Sequence, residues 1–373
     1  MTKSRMIVLG GGVIGLSIAY ELACRGHSVR LIDARYAGRQ SSWAGAGILP
    51  PVNTQTAIHP LERMEGLSTE FHLQWHEQLQ AETGIDNGLI ACGGIYLART
   101  IGEQAALAGQ VAYWREREIE WHRWGEQELR RLPGLNIDQV RTAYFLPGEY
   151  QVRNPRHLQA LQIACRQRHV DLSIGIDPAR IKLGIDSGTA NVSFDDHPLH
   201  ADHVCLAAGA WSERLLAPLG IRMPVTPVRG QMVLFQLPES PFAAIINEGT
   251  RYLVPRSDGF LLAGATIEEV GFQSHTETDD IAELVEWAHR LLPACSHTSL
   301  VDQWAGLRPA SADAMPYIGP LGQAANLFVA TGHFKAGLHL STATAVLVSD
   351  LMENRPTSVD LTPFDPQRTV IHH

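Results

Sequence analysis

The chain has 373 residues, 45% hydrophobic and 18% charged, a length that suits two packed domains and a composition that excludes a disordered chain or a small binding module. Its 39 acidic against 30 basic side chains give a formal charge of −9, which argues against nucleic acid or anionic lipid as partner and for a small-molecule client. Five scattered cysteines with no CxxC pair suit reduced thiols, and no 18-residue apolar run is present, so the expectation is a cytoplasmic protein without stable membrane association.

Arg5 to Leu9 is a short apolar, β-branched run that predicts a buried strand. Lys3 and Arg5 ahead of it could pass for the start of a leader, but the glycines that follow favour a mature β-turn-α start. Gly10, Gly12 and Gly15 match GxGxxG, and Val13 to Cys24 reads as the helix they open. A second strand over 28–32 ends at Asp33. Each glycine has a mechanical role. Gly10 makes the tight turn, Gly12 lets a pyrophosphate approach the backbone, and Gly15 lets helix and strand pack closely. The first N–H groups of the helix, around Val13 and Ile14, have no partner within it and suit phosphate. Asp33 suits an adenosine ribose and repels a 2′-phosphate, so the fingerprint implies FAD or NAD rather than NADP, with Ala34 and Arg35 beside the ribose.

An NAD enzyme would ordinarily run on into another βα unit. Here the segment from Gly38 to Pro50 follows instead, and its Ser41, Ser42, Ala44, Gly45, Ala46 and Gly47 are small enough to lie flat beneath a large planar ring. At this point the chain resembles the amino-acid oxidase family of flavoproteins, which includes glycine oxidase, sarcosine oxidase and D-amino-acid oxidase and carries a similar SS-x-A-x-A-G segment. The resemblance recurs in the block Val204 to Ser212, with Ala208, Gly209 and Trp211 near the cofactor. It recurs again in Gln303 to Pro309 and Pro316 to Gly319, which look like glycine oxidase in particular. The last block is Leu327 to Gly337, whose turn includes Gly332, His333, Lys335, Ala336 and Gly337, followed by Leu338.

The resemblance implies an α/β fold in which a Rossmann-like FAD-binding domain, similar to that of glutathione reductase, is formed from residues 1–55, 145–220 and 300–373. An α+β substrate domain on an antiparallel sheet is then inserted as 56–144 and 221–299. Polar helical stretches at 61–81 and 101–131, and β-rich runs at 232–237, 251–255 and 260–265, fit that second domain.

By the same resemblance, Arg308 in Trp304-Ala-Gly-Leu-Arg308 matches the arginine that clamps the substrate carboxylate, a role suited to its planar fork. Tyr252 matches a tyrosine whose hydroxyl also reaches the carboxylate, and Ile267, where relatives tend to carry methionine, lies on the active-site wall. Glycine oxidases usually read GHFRNG where this chain has Gly332-His-Phe-Lys-Ala-Gly337, so Lys335 stands for an arginine and offers a point charge instead of a fork. The turn's N–H groups and the helix after it are expected to face the flavin pyrimidine ring. The stretch from Ala310 to Met315 lacks the cysteine that attaches flavin in sarcosine-oxidase relatives, so FAD is expected to be non-covalent.

The implied reaction is oxidation of glycine, sarcosine or a small D-amino acid to the imine, with dioxygen reduced to hydrogen peroxide, and a role in thiamine thiazole synthesis. Alternatives are a D-amino-acid dehydrogenase that passes electrons to a quinone, and a non-catalytic FAD-binding subunit; a homo-oligomer stays open. His72 and His76, four residues apart, read as a solvated helix face with no metal role.

Overall fold

The computed structural model describes residues 3–34 and 40–368. Strand β1 (Arg5–Leu9) is central to a six-stranded sheet ordered 317–320, 327–331, 203–206, β1, then β2 (Ser28–Asp33) and 171–174. All neighbours in it are parallel except the 317–320 edge strand. Successive side chains of β1 point to opposite faces and both faces are covered, which is why the run is almost wholly apolar. Met6 and Val8 enter a core shared with helix α1 (Val13–Cys24), while Ile7 and Leu9 enter another that includes Ala190 and Val192 of a small antiparallel sheet over 181–199.

Behind α1 lie helix α2 (Pro60–Thr83), helix α3 (Asn154–Gln167) and the last long helix, Ser341–Met352. Pro60 opens α2 behind a His59–Glu62 capping box, and Gly84, left-handed at φ 74°, ends it. The charged run read as helix to residue 131 is helical over Ile101–Glu116 and again, for one short turn, over Glu126–Leu129. Glu118 turns the chain at φ 49°, and His122–Trp124 then joins a sheet because Trp124 stacks on Phe145 across the strand pair.

The second sheet has eight strands, ordered 300–311, 225–236, 260–264, 251–255, 245–248, 94–98, 142–146 and 122–124. It is antiparallel except where 245–248 runs parallel to 94–98. Helix Thr278–Leu291 covers it through Ile281, Leu284, Trp287 and Leu291. What positions the site is the long ribbon of β3 (Val225–Gln236) beside β4 (Leu300–Ser311). Val225, at one end, packs in the core of the six-stranded sheet; Phe235, at the other, lies in the core of the eight-stranded one. Residues 300–311 therefore go by sheet membership with the antiparallel half, not with the cofactor half where the sequence placed them. The division expected at 145 likewise falls inside strand Thr142–Leu146. Motif blocks mark what lines a cavity, whereas strand pairing decides which sheet a segment joins. Among the described residues no helix is long and apolar enough to cross a membrane.

Candidate active site

A cavity of about 800 Å³ runs between the two sheets from Asp33 to Lys335. At its nucleotide end Gly10 has φ 111°, and a Cβ there would meet the Ala207 carbonyl oxygen at 2.4 Å. A Cβ on Gly15 would lie 1.9 Å from the Gly10 carbonyl, so this glycine serves the contact of strand and helix and does not line the cavity. Gly12 faces open space apart from Ser42 Oγ at 3.2 Å. Ser42 Oγ accepts from Val13 N at 2.9 Å, and Asp33 Oδ2 accepts from Gly11 N at 2.5 Å, tying the turn to the end of β2. Arg35 lies outside the described residues.

The small-residue segment folds as a short helix, Ser41–Ala44, and then an extended stretch. Gly47, at φ 74°, leaves no room for a Cβ, which would stand 1.9 Å from the Val152 carbonyl oxygen. Asn154, at the start of α3, donates to the Ser42 carbonyl at 2.8 Å, while its buried Oδ1 has no partner among the described residues. Arg256 donates to the Ala46 carbonyl at 2.7 Å and to Gln151 Oε1 at 2.6 Å; burial pulls its pKa down to about 10. On the far side the N–H groups of Gly337, Leu338 and His339 have no acceptor among the described residues, and all three residues line the cavity. A backbone that admits a ligand at Gly12, an unpartnered Asn154 oxygen and three open N–H groups fit a dinucleotide cofactor with a polar ring at its far end. Of the expected and described cofactor residues, only Gly15 and Gly332 stay out of the lining; Gly332, at φ 79°, shapes the turn.

At the ring end Arg308 sits on β4 opposite Val228, with its guanidinium lying across Gly230. Its Nη1 donates to the Thr266 carbonyl at 3.1 Å and the Arg229 carbonyl at 3.3 Å. The Tyr252 hydroxyl donates to Met232 Sδ at 3.5 Å and lies close enough to the same guanidinium for each group to shift the other's titration. Burial raises the Tyr252 pKa and lowers that of Arg308, each opposed by the other's presence. Lys335 stands exposed at the mouth; partial burial and then the positive charge of Arg308 hold its pKa below the usual lysine value. Ile267, 45% exposed, forms part of the wall. Among the described residues neither Arg308 nor Lys335 has an ion-pair partner within 4 Å. Two cations without an ion-pair partner within 4 Å at one end of the cavity fit an anionic ligand.

No motif points to Glu65, which lines the same cavity from α2 and whose pKa burial, with Glu62 nearby, pushes up to about 7. Its setting in a polar helical run looks like any solvated face. Nor is His72 on a solvated face: it is 1% exposed, because α2 packs that side against the Ser341–Met352 helix.

Over residues 5–351 the chain matches the family described as DAO, FAD dependent oxidoreductase. It belongs to that family. The chain is 35% identical to glycine oxidase from Pseudomonas aeruginosa, over 98% of this chain and 99% of that protein. It is 32% identical to the bifunctional protein ThiO/ThiG of Synechocystis, over 98% of this chain and 54% of that one. Superposed on the crystal structure of glycine oxidase from Geobacillus kaustophilus it gives a TM-score of 0.91 at 31% identity, covering 99% of this chain and 100% of the other. This FAD-dependent oxidoreductase thus has the glycine oxidase fold, and FAD is its cofactor. No cysteine lines the cavity among the described residues.

Proposed function

We propose that the chain oxidises glycine or a similarly small amino acid, such as sarcosine or a small D-amino acid, to the imine, with dioxygen reduced to hydrogen peroxide. The observation that carries this reading is the pair Arg308 and Lys335, two cations without an ion-pair partner within 4 Å that line the FAD cavity together with Tyr252. FAD, when bound, supplies the acceptor for the substrate hydride and the electrons for dioxygen.

The chain's own residues bind and orient. Two backbone carbonyls hold the Arg308 fork, leaving its remaining N–H groups for a carboxylate, and the Tyr252 hydroxyl adds a neutral donor to the same anion. Lys335 adds a point charge from the mouth. With the carboxylate fixed at one side and Ile267 opposing bulk, the substrate Cα is confined, which is the proximity this chemistry needs. Supply of the product to thiamine thiazole assembly belongs to the same proposal, supported by the match to about half of the ThiO/ThiG protein. A cytoplasmic setting is supported by the scattered thiols.

The test is a substrate panel on the purified chain with peroxide detection. Glycine, sarcosine and D-alanine should bleach the yellow holoenzyme without air and yield stoichiometric peroxide with it. Bleaching that dioxygen does not reverse, yet a quinone does, would replace the oxidase with a dehydrogenase; no bleaching by any amino acid would leave an FAD-binding subunit.

A further inference from the structure

His72 Nε2 lies 2.9 Å from the Leu338 carbonyl oxygen and 3.0 Å from that of His339. Carbonyls only accept, so Nε2 carries the proton and Nδ1 keeps a lone pair. That Nδ1 is buried without a partner among the described residues. The His157 ring of α3, wholly buried, stands 5.6 Å away, centroid to centroid. Asn87 Oδ1 accepts from His76 Nδ1 at 2.7 Å and from Leu89 N at 3.1 Å, which fixes the amide's orientation. Its Nδ2 then donates to His157 Nδ1 at 3.2 Å, so the proton of that ring sits on Nε2, a second buried atom without a partner among the described residues. One donor and one acceptor are thus left unpaired on two buried rings whose centroids lie 5.6 Å apart, and a bond from His157 Nε2–H to His72 Nδ1 would complete the series. Every hydrogen bond in the series His76, Asn87, His157, His72 then runs in one direction, toward the 338–339 peptide. Burial holds His72 and His157 neutral, at about 4 and about 3.

The peptide at the end of this series matters because its two polar groups point opposite ways. A trans peptide sets the His339 N–H antiparallel to the Leu338 carbonyl, so a carbonyl drawn toward His72 leaves the N–H on the cavity side. Ser341 Oγ also donates to the Leu338 carbonyl, and Ser68 Oγ to that of His339. Neither of these leads toward α3, whereas a His157–His72 bond would tie the turn to it.

We propose that His76, Asn87, His157 and His72 form a polarised strut in which His72 is a positioning residue, holding the 337–339 turn so that its open N–H groups meet the edge of the bound flavin where negative charge accumulates. The inference rests on the reading that this turn faces the flavin. Preorganised N–H groups at such an edge favour the anionic reduced ring, so their misalignment lowers both the reduction potential and the affinity of the oxidised ring for sulfite.

The experiment compares His72→Leu, which keeps bulk and loses the donor, with His72→Gln, which keeps an N–H donor, as FAD-loaded full chains. Sulfite affinity is read from bleaching of the flavin band and the two-electron midpoint potential by dye equilibration. His72→Leu should bind sulfite about tenfold more weakly and show a potential about 30 mV lower, the equivalent of that factor for two electrons, with His72→Gln within about threefold of wild type. Equal values for the two variants, or wild-type values for His72→Leu, overturn the strut. Should His72→Leu not fold, His157→Phe carries the test, since it removes the neighbour of His72 without touching the turn. A shift of about threefold in the same direction is expected, and wild-type values overturn the proposal. A wild type that holds FAD but forms no sulfite adduct rejects the turn's role itself, and the strut with it.

Discussion

Arg308 and Gly230 are diagonal neighbours on one face of the β3–β4 ribbon, and the guanidinium has its place there because residue 230 lacks a side chain. A Cβ on residue 230 would stand 2.0 Å from Arg308 Nη2, so Gly230→Ala displaces the guanidinium, a flexible end that can move without unfolding the ribbon. Gly230→Ala should therefore raise KM for glycine with FAD retained and Tm nearly unchanged; an unchanged KM would show that the fork is not the anchor. Removing the fork outright is more severe. Truncating one member of a desolvated charge pair costs about 2–5 kcal/mol, so Arg308→Ala should lower kcat/KM by roughly 30-fold to several thousandfold. Activity within about threefold of wild type would make Arg308 a structural residue. Lys335 is exposed, so its variants act on the ligand more than on the fold: Lys335→Arg should lower KM and Lys335→Met raise it. Wild-type half-reactions in Lys335→Met, measured by stopped flow, would remove it from the site.

Elements differ in how far their sequence explains them. The strand–turn–helix–strand opening could be read off because its determinants are local: an apolar run, three glycines in a fixed spacing, an acid at the strand end. The ribbon could not, because its meaning lies in a register between residues about 80 positions apart, and one shift of that register would turn Arg308 to the other face. Glu65 and His72 were hidden for a related reason, since α2 has a mixed pattern and only its packing decides which polar residues are covered. Glu149 is a further case. It is wholly buried between strands, accepting from Tyr96 at 2.6 Å, and Gly94 provides the space, since a Cβ there would meet its carboxylate at 2.5 Å. Burial pushes its pKa up to about 7, so the folded chain holds a proton that the unfolded chain, at about 4.5, releases. Stability from this group is complete below the unfolded value and is lost as pH rises through about 7, on the order of 3 kcal/mol in all. Glu149→Gln should flatten the fall between pH 5 and 8 in urea unfolding. An identical slope in the variant would assign it to other groups.

For the whole molecule, the cavity is the joint between two sheets, so the cofactor is also a fastener. Its lining draws Leu9 and Asp33 from one sheet, Arg308 and Tyr252 from the other, and Leu338 from the turn before the last long helix. A ligand that binds only this assembled form stabilises it by mass action, about 2.7 kcal/mol at a hundredfold excess over Kd, which for a chain this long is a rise in Tm of roughly 3 °C. Loss of FAD should accordingly speed amide exchange at both walls together, over 41–50 and 332–340, and not at the nucleotide end alone. Asp33 joins both effects, because its carboxylate accepts from Gly11 N and so shapes the turn that would receive the pyrophosphate, besides being the expected ribose acceptor. Replacing a charged acceptor by a neutral one costs about 1.5–3 kcal/mol, so Asp33→Asn should weaken FAD by about tenfold to a hundredfold and shrink the FAD-induced rise in Tm at fixed cofactor concentration. The Tm of the apoprotein separates the two roles: an apo value equal to wild type with weaker FAD binding assigns the loss to the ribose, whereas a lower apo value assigns it to the turn. An unchanged Kd, measured by quenching of flavin fluorescence, would mean that the ribose is held elsewhere.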